Sequence, residues 1–252
     1  MAKRETRSLT VVKKQQLTPN MLRITLGGEE LENFPQDQDG GYIKLLLETD
    51  KGSLKRSYTI RAFRSESLEL DVDFVLHGEN GHAGPASEWA SKVTIGDHVN
   101  LTGPGPVKRI STTEDWYFIA GDMTALPAIS VNLEAMPRDA KGYAIIEIIE
   151  DADKQKFNSP EGIEIRWVIN PHPELANSIL PDALKVLPWL EGKPNVWLAC
   201  EFSGMKQLRD YFKKENNVSK NEIYISSYWK IGDTDEGHKK AKALDKALNI
   251  LD

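Results

Sequence analysis

The apolar residues change their period at Gly103-Pro104-Gly105-Pro106, and that change commits the chain to two differently built halves. Between residue 10 and about residue 108, apolar side chains recur mostly at every second position, in short stretches separated by Gly, Pro, Asp and Asn. That pattern reads as antiparallel strands. Leu68, Leu70, Val72, Phe74 and Leu76 form the clearest run. A pleated strand puts them on one face and turns Glu69, Asp71, Asp73, Val75 and His77 to the other. The stretch 57–63 precedes this run, and Arg64-Ser65-Glu66-Ser67 between them reads as a hairpin turn. Residues 96–101 give one more strand, and the paired Gly-Pro dipeptides end the first half.

After about residue 112, strand-like runs at 116–120, 143–149, 163–169, 196–200 and 223–227 are separated by helical patterns at 125–136, around 181–190 and at 205–214. Alternation of this kind predicts an α/β domain with a parallel sheet. From residue 235, Ala241, Leu244, Leu248 and Leu251 fall at helical spacing, so the C-terminus is expected to be a helix docked through that apolar stripe.

Composition removes several function classes. The 252 residues, 40% apolar and 28% charged, fit a soluble globular protein. No apolar run approaches the roughly 20 residues that cross a bilayer, and the charged start carries no signal core, so a cytoplasmic protein without membrane contact is expected. Cys200 is the single cysteine. It excludes an internal disulfide and any iron–sulfur cluster ligated by this chain alone, so redox chemistry would need an organic cofactor. Within its apolar run, Cys200 reads as a small buried hydrophobe. A net charge of −6 argues against a nucleic-acid partner and requires a local basic patch for any anionic ligand. The five histidines are scattered without metal-ligand spacing, and no nucleophile triad or carboxylate pair stands out.

Candidate chemistry gathers in five short segments. Arg56-Ser57-Tyr58-Thr59 offers a guanidinium for a pyrophosphate, a flat ring for an isoalloxazine and a hydroxyl for its polar edge. Alone, it reads more readily as an ordinary half-buried strand. Asp73, Val75 and His77 fall on one face of a strand next to it, with a solvated polar face as the alternative. Gly84-Pro85-Ala86-Ser87 opens a helix whose free N–H groups could hold a diphosphate; the alternative is an ordinary Gly-Pro cap. Gly121-Asp122-Met123-Thr124 follows the first α/β strand at the position where doubly wound sheets bind nucleotides, without a G-x-G-x-x-G pattern. Glu150 and Asp151, after the second strand, suit a ribose 2′-hydroxyl and would repel a 2′-phosphate, unless they form only an acidic turn.

Taken in order, Arg56-Ser57-Tyr58-Thr59, Asp73-Phe74-Val75-Leu76-His77-Gly78, Gly84-Pro85-Ala86-Ser87-Glu88-Trp89-Ala90, Gly121-Asp122-Met123-Thr124-Ala125-Leu126-Pro127-Ala128 and Tyr228-Trp229-Lys230 resemble the siderophore-interacting protein family, flavin-dependent ferric-siderophore reductases related to ferredoxin reductases. The resemblance runs nearly end to end. It implies a six-stranded antiparallel FAD-binding β-barrel over 1–110, then a Rossmann-like α/β domain over 111–252 that binds NADH or NADPH and ends in a C-terminal helix; Glu150 and Asp151 favour NADH of the two. FAD contacts are expected from Arg56, Ser57, Tyr58, Thr59, Asp73, Phe74, Val75, His77, Gly84, Pro85, Ala86, Ser87, Thr124 and Trp229. Nicotinamide contacts are expected from Asp122, Thr124, Ala125, Pro127, Glu150, Asp151 and Glu201. The family commonly has Glu at the place of Met123 and a second basic residue at that of Ile231, which leaves those two contacts open.

An anionic ferric siderophore would be drawn by Lys44, Lys55, Lys230, Lys239 and Lys240, within a screening length of about 8 Å. Iron is expected to stay in its chelate, with no metal ligand from the protein and no catalytic side chain beyond the flavin. A monomer is expected, with an electron-carrier protein as an alternative electron donor. The competing readings are another NAD(P)H:flavin oxidoreductase, an electron-transfer flavoprotein, or a siderophore-binding module without turnover.

Overall fold

A computed structural model describes residues 5–49, 52–76 and 84–248. The chain divides into two compact units: Met1–Arg109 with Ser130–Asn132 and Ala152–Gln155, and Ile110–Ile129 with Leu133–Asp151 and Lys156–Asp252.

The first unit is a curled antiparallel sheet of β1 (Thr6–Thr18), β2 (Met21–Gly27), β3 (Tyr42–Thr49), β4 (Gly52–Thr59), β5 (Ala62–Arg64), β6 (Glu69–Val75) and β7 (His98–Gly105), in the order β4-β3-β7-β1-β2-β6-β5. Seven strands stand where six are expected, because one extended run is bent at Ile60-Arg61. Ile60 N–H bonds to Gly41 O, while Arg61 N–H bonds to Asp71 O. The two arms of this run therefore pair with opposite ends of the sheet and curl it on itself. Leu9, Val11, Ile24, Leu26, Ile43, Leu45, Leu70, Val72, Phe74, Val99 and Leu101 fill the inside. Helix α1 (Pro85–Lys92) adds Ala86 and Ala90 to this core, with Trp89 packed against it.

The hairpin expected around Arg64-Ser65-Glu66-Ser67 is the β5–β6 pair. The first Gly-Pro dipeptide does not end β7, which runs on to Gly105. The register shifts between Tyr42 and Lys44 on the partner strand, and Pro104 is accommodated at that irregularity. Buried Asp153 accepts from Thr18 Oγ1 (2.7 Å), Asn20 N (2.9 Å) and Asn20 Nδ2 (2.9 Å), which fastens the 152–155 segment to the β1–β2 turn.

The second unit is a five-stranded parallel sheet of β8 (Trp116–Gly121), β9 (Lys141–Ile148), β10 (Gly162–Ile169), β11 (Pro194–Glu201) and β12 (Ile223–Trp229), ordered β10-β9-β8-β11-β12. Its helices are α2 (Leu126–Ala135), α3 (Ile179–Lys185), α4 (Phe202–Asp210, ending in a wider turn Tyr211–Glu215) and α5 (Asp235–Leu248). Phe118, Ala120, Tyr143, Ile145, Val196 and Leu198 pack with Leu180, Leu184, Met205, Leu208 and Phe212, so α3 and α4 cover one face of the sheet. Helix α3 is shorter than the 181–190 pattern suggests.

Helix α5 departs from expectation. Leu244 and Leu248 are 64% and 63% exposed, and Leu251 lies outside the described residues. Polar groups one turn apart hold the helix instead. His238 Nε2 meets Ser227 Oγ at 2.8 Å, Lys242 donates to Ser226 Oγ (2.7 Å) and Ser227 O (3.0 Å), and Asp245 takes two bonds from Arg209. Position 238 shares a helix face with 242 and 245, and on that face the bonding groups outcompete the leucine stripe. Among the described residues, no helix is long and apolar enough to cross a membrane.

Candidate functional site

In the first unit the candidate residues gather on β4, at one end of the sheet order. Pleating splits the tetrapeptide between two faces. Arg56 lies opposite Leu45 and Tyr58 opposite Ile43, so both share the face of the core residues. Ser57 lies opposite Lys44 and Thr59 opposite Tyr42, on the reverse face. The Tyr58 ring centroid is 4.4 Å from that of Phe74, which is 5.5 Å from that of Trp89. Burial pushes the Tyr58 phenol well above its ordinary pKa, with a smaller opposing pull from Arg56, so the phenol stays neutral.

The Arg56 guanidinium makes one bond, to Lys55 O at 3.1 Å, and no carboxylate pairs with it among the described residues. The other arginines on this part of the sheet differ. Arg23 grips Asp73 through two bonds of 2.6 and 2.7 Å, and Arg64 grips Asp71 through bonds of 2.7 and 2.8 Å. Asp73 therefore reaches any ligand with its charge already matched. Phe74 points into the core, Val75 is half-buried at the end of β6, and His77 lies outside the described residues. Gly84 is the N-cap of α1, in the extended conformation that a following proline favours, and no side chain caps the helix. Ala86 and Ser87 are buried in its first turn. A guanidinium without a carboxylate among the described residues and a helix start without a side-chain cap are donors suited to an anionic ligand, and the Tyr58 ring, tilted on Phe74, offers a surface to a flat ring.

In the second unit the site is a cleft at the carboxyl ends of the strands. The sheet order reverses between β8 and β11, and crevices at such points bind ligands. Gly121 makes this approach possible, since a Cβ there would lie 2.4 Å from Ala199 O and 2.8 Å from the Ala125 Cβ. The period of two continues beyond the apolar layer. Asp122 follows Phe118 and Ala120, Glu147 follows Tyr143 and Ile145, and Cys200 follows Val196 and Leu198, so all three emerge on the α3–α4 face. With Asn170, Glu201 and Trp229 they line a cleft of about 350 Å3, counting its space open to solvent.

The three acids in this cleft are satisfied very differently. Asp122 Oδ1 accepts from Thr124 N (3.0 Å) and Thr124 Oγ1 (2.5 Å). Its Oδ2 accepts from Glu201 N (2.9 Å) and from the Trp229 indole N–H (2.8 Å). Burial raises its pKa and these donors pull it back. Glu201 Oε2 accepts from Ser203 N (2.5 Å), Ser203 Oγ and Gly204 N (3.2 Å), which caps α4, while its Oε1 accepts from Ile231 N (3.2 Å). Glu147 is 8% exposed and has one donor, Asn170 Nδ2 at 3.0 Å on Oε1. Asn170 Oδ1 accepts from His172 N, which orients that amide. Burial pushes Glu147 up to about 7; Asn170 opposes this, and the charges of Asp122 and Glu201 add to it. Burial also raises the Cys200 thiol, keeping it a thiol.

Of the nicotinamide candidates, Asp122, Thr124 and Glu201 come together here, with Ala125 as the N-cap of α2 and Pro127 in its first turn. Glu150 and Asp151 are exposed and do not line the cleft. Trp229 has its N–H committed to Asp122. Lys230 is paired with Asp233 (2.6 Å) and Lys239 with Asp235, whereas Lys240 is exposed. Lys44 and Lys55 lie on the same outward face of β3 and β4, with no acid partner among the described residues. Sequence reasoning missed Glu147 and Asn170. The available signal was Glu147 itself, the single charge within the apolar run 142–148.

The model of the siderophore-interacting FAD-binding domain matches residues 10–55 and 47–108, and that of the siderophore-interacting protein matches 114–232. The chain belongs to the siderophore-interacting protein family. Ferric vibriobactin reductase ViuB of Vibrio cholerae is 35% identical, over 94% of this chain and 93% of the relative. The crystal structure of the siderophore-interacting protein SipS from Aeromonas hydrophila superposes with a TM-score of 0.84 at 32% identity, covering 96% of this chain and 99% of that one. The NADPH-dependent ferric-chelate reductase of Escherichia coli is 21% identical, over 88% of this chain and 92% of the relative.

Proposed function

We propose that this protein is an FAD-dependent ferric-siderophore reductase of the cytoplasm that draws electrons from a nicotinamide nucleotide. The observation that carries the reading is Arg56. A guanidinium with no carboxylate partner among the described residues, two residues from a phenol packed on Phe74, is a charge that an anionic flavin nucleotide would match. In this role Arg56 and the first turn of α1 bind the diphosphate, and Tyr58, on the same face as Arg56, supports the ring. FAD, once bound, supplies the conversion between the two-electron chemistry of a nicotinamide and the one-electron reduction of iron.

The cleft in the second unit serves the nicotinamide nucleotide. Asp122 organises it by joining the ends of β8, β11 and β12 with the first turn of α2. The substrate iron stays in its chelate, and Fe(II) is held less tightly than Fe(III) by hard oxygen ligands, so reduction favours release. Lys44 and Lys55 attract an anionic chelate better than Lys230 and Lys239, whose charges are matched by Asp233 and Asp235.

The test is anaerobic mixing of the flavin-loaded protein with NADH or NADPH, followed by a ferric siderophore. Bleaching of the flavin by the nucleotide and its re-oxidation by the chelate is the expected result. Purified protein that neither retains nor takes up FAD would overturn the reading, as would a reduced flavin that added free flavin re-oxidises faster than any chelate does.

A further inference from the structure

Acceptor counting in the second unit's cleft separates one carboxylate from its neighbours. Asp122 and Glu201 each accept four bonds from the protein, so their lone pairs are occupied. Glu147 accepts one. Its Oε2 has no donor among the described residues, although the residue is more than nine-tenths buried and lines the cleft. Among the described residues, Oε2 is not one of the enclosed atoms that lack a partner, so it opens onto the cleft, where a ligand can supply the donor. Glu147 also stands at the end of the second strand of the sheet, where doubly wound folds place an acid against a ribose hydroxyl.

We propose that Glu147 is the specificity-determining residue of this cleft, accepting a hydrogen bond from the ribose 2′-hydroxyl of the nucleotide and repelling a phosphate in its place. This rests on the cleft being the nicotinamide-nucleotide site. The role expected for Glu150 and Asp151 thus moves to an earlier residue, on the strand itself. Every charged group facing Glu147 strengthens the discrimination. Asp122 follows β8, Glu201 ends β11, Cys200 beside it is a neutral thiol, β10 contributes neutral Asn170, and α3 presents Leu180 and Pro181. Among the described residues, no lysine or arginine lines the cleft to receive a phosphate.

The test is calorimetric titration of flavin-loaded wild type, Glu147→Gln and Glu147→Ala with NAD+ and NADP+ at pH 6 and pH 8, which involves no turnover. Wild type should prefer NAD+ at pH 8, and less so at pH 6, where protonation removes the negative charge that strengthens the bond to the hydroxyl and repels the phosphate. Glu147→Gln should lower the NAD+ to NADP+ preference about tenfold and remove its pH dependence, and Glu147→Ala should weaken NAD+ about tenfold. Circular dichroism identifies any variant that fails to fold; the near-isosteric Gln form then decides. A wild type that binds NAD+ with a preference unchanged in Glu147→Gln overturns this proposal and leaves the cleft's assignment standing. A wild type that binds neither nucleotide overturns that assignment, and this proposal with it.

Discussion

Strand β6 of the antiparallel unit and the cleft of the parallel unit satisfy their acids in opposite ways. On β6 of the antiparallel unit, Asp71 and Asp73 each meet an arginine across a strand pair, while on β4 the half-buried Arg56 meets no carboxylate among the described residues. In the cleft of the parallel unit, three acids meet no cation among the described residues. Asp122 and Glu201 are satisfied by N–H and O–H donors at strand and helix ends, and the group left over is an acid, Glu147. The cause is geometric. Antiparallel neighbours hold side chains opposite each other, so ion pairs form across strands. The carboxyl ends of parallel strands instead gather loop backbone and helix N-termini, which offer N–H donors to carboxylates. One unit is thereby left ready for an anion, and the other for a neutral donor.

The strongest way to break this comparison is Asp122→Ala. It would strand buried N–H groups of Thr124, Glu201 and Trp229, and should lower the unfolding free energy by about 4 kcal/mol in urea titrations. A loss below about 1 kcal/mol would mean that water replaces the clasp easily and that the acid is not structural.

Glu147 gives the next effect. Its folded pKa is raised from 4.5 to about 7, so between those values the folded state holds the extra proton and stability falls as pH rises. Wild type should lose about 3 kcal/mol over that window through this group, and Glu147→Gln should lose correspondingly less. Denaturation curves at pH 5 and pH 8 measure the difference, and parallel behaviour of the two proteins would remove Glu147 from the contrast.

Arg56→Ala sharpens the comparison from the other side. It should weaken FAD binding about thirtyfold, near 2 kcal/mol, while leaving the melting temperature of the flavin-free protein nearly unchanged, because the bond lost among the described residues is an exposed one to Lys55 O. Loss of stability in the apo form would show that Arg56 has a structural partner. The smallest effects belong to surface lysines. Lys230→Ala should change stability by less than about 0.5 kcal/mol, since it removes only a surface ion pair, and should leave the KM for an anionic ferric chelate nearly unchanged. Lys44→Ala should raise that KM about threefold at low salt and not at high salt. Equal behaviour of the two variants would remove the distinction between matched and unmatched lysines.

The architecture was largely legible because it follows from period. The stripe at Leu70, Val72 and Phe74 lies in the first core, and the five apolar runs after residue 112 became the five parallel strands in sequence order. The C-terminal helix was legible as a helix but not in its docking, because helical spacing says which residues share a face and not which face finds partners. Position along the chain also located the Asp122-Thr124 turn and the Arg56-Tyr58 pair. It could not show that Asp122 is enclosed by its own donors while Arg56 is free, because those partners lie up to 107 residues away.

By itself, then, the sequence determined two units, their strand periods, the family and the segments where chemistry gathers, since each depends on neighbours a few positions apart. Only the tertiary structure decided which charges remain unmatched. A carboxylate or guanidinium is available to a ligand when the protein has supplied too few partners, and the partners of Glu147, Asp73 and Lys242 come from other strands and helices that folding alone brings within hydrogen-bonding reach.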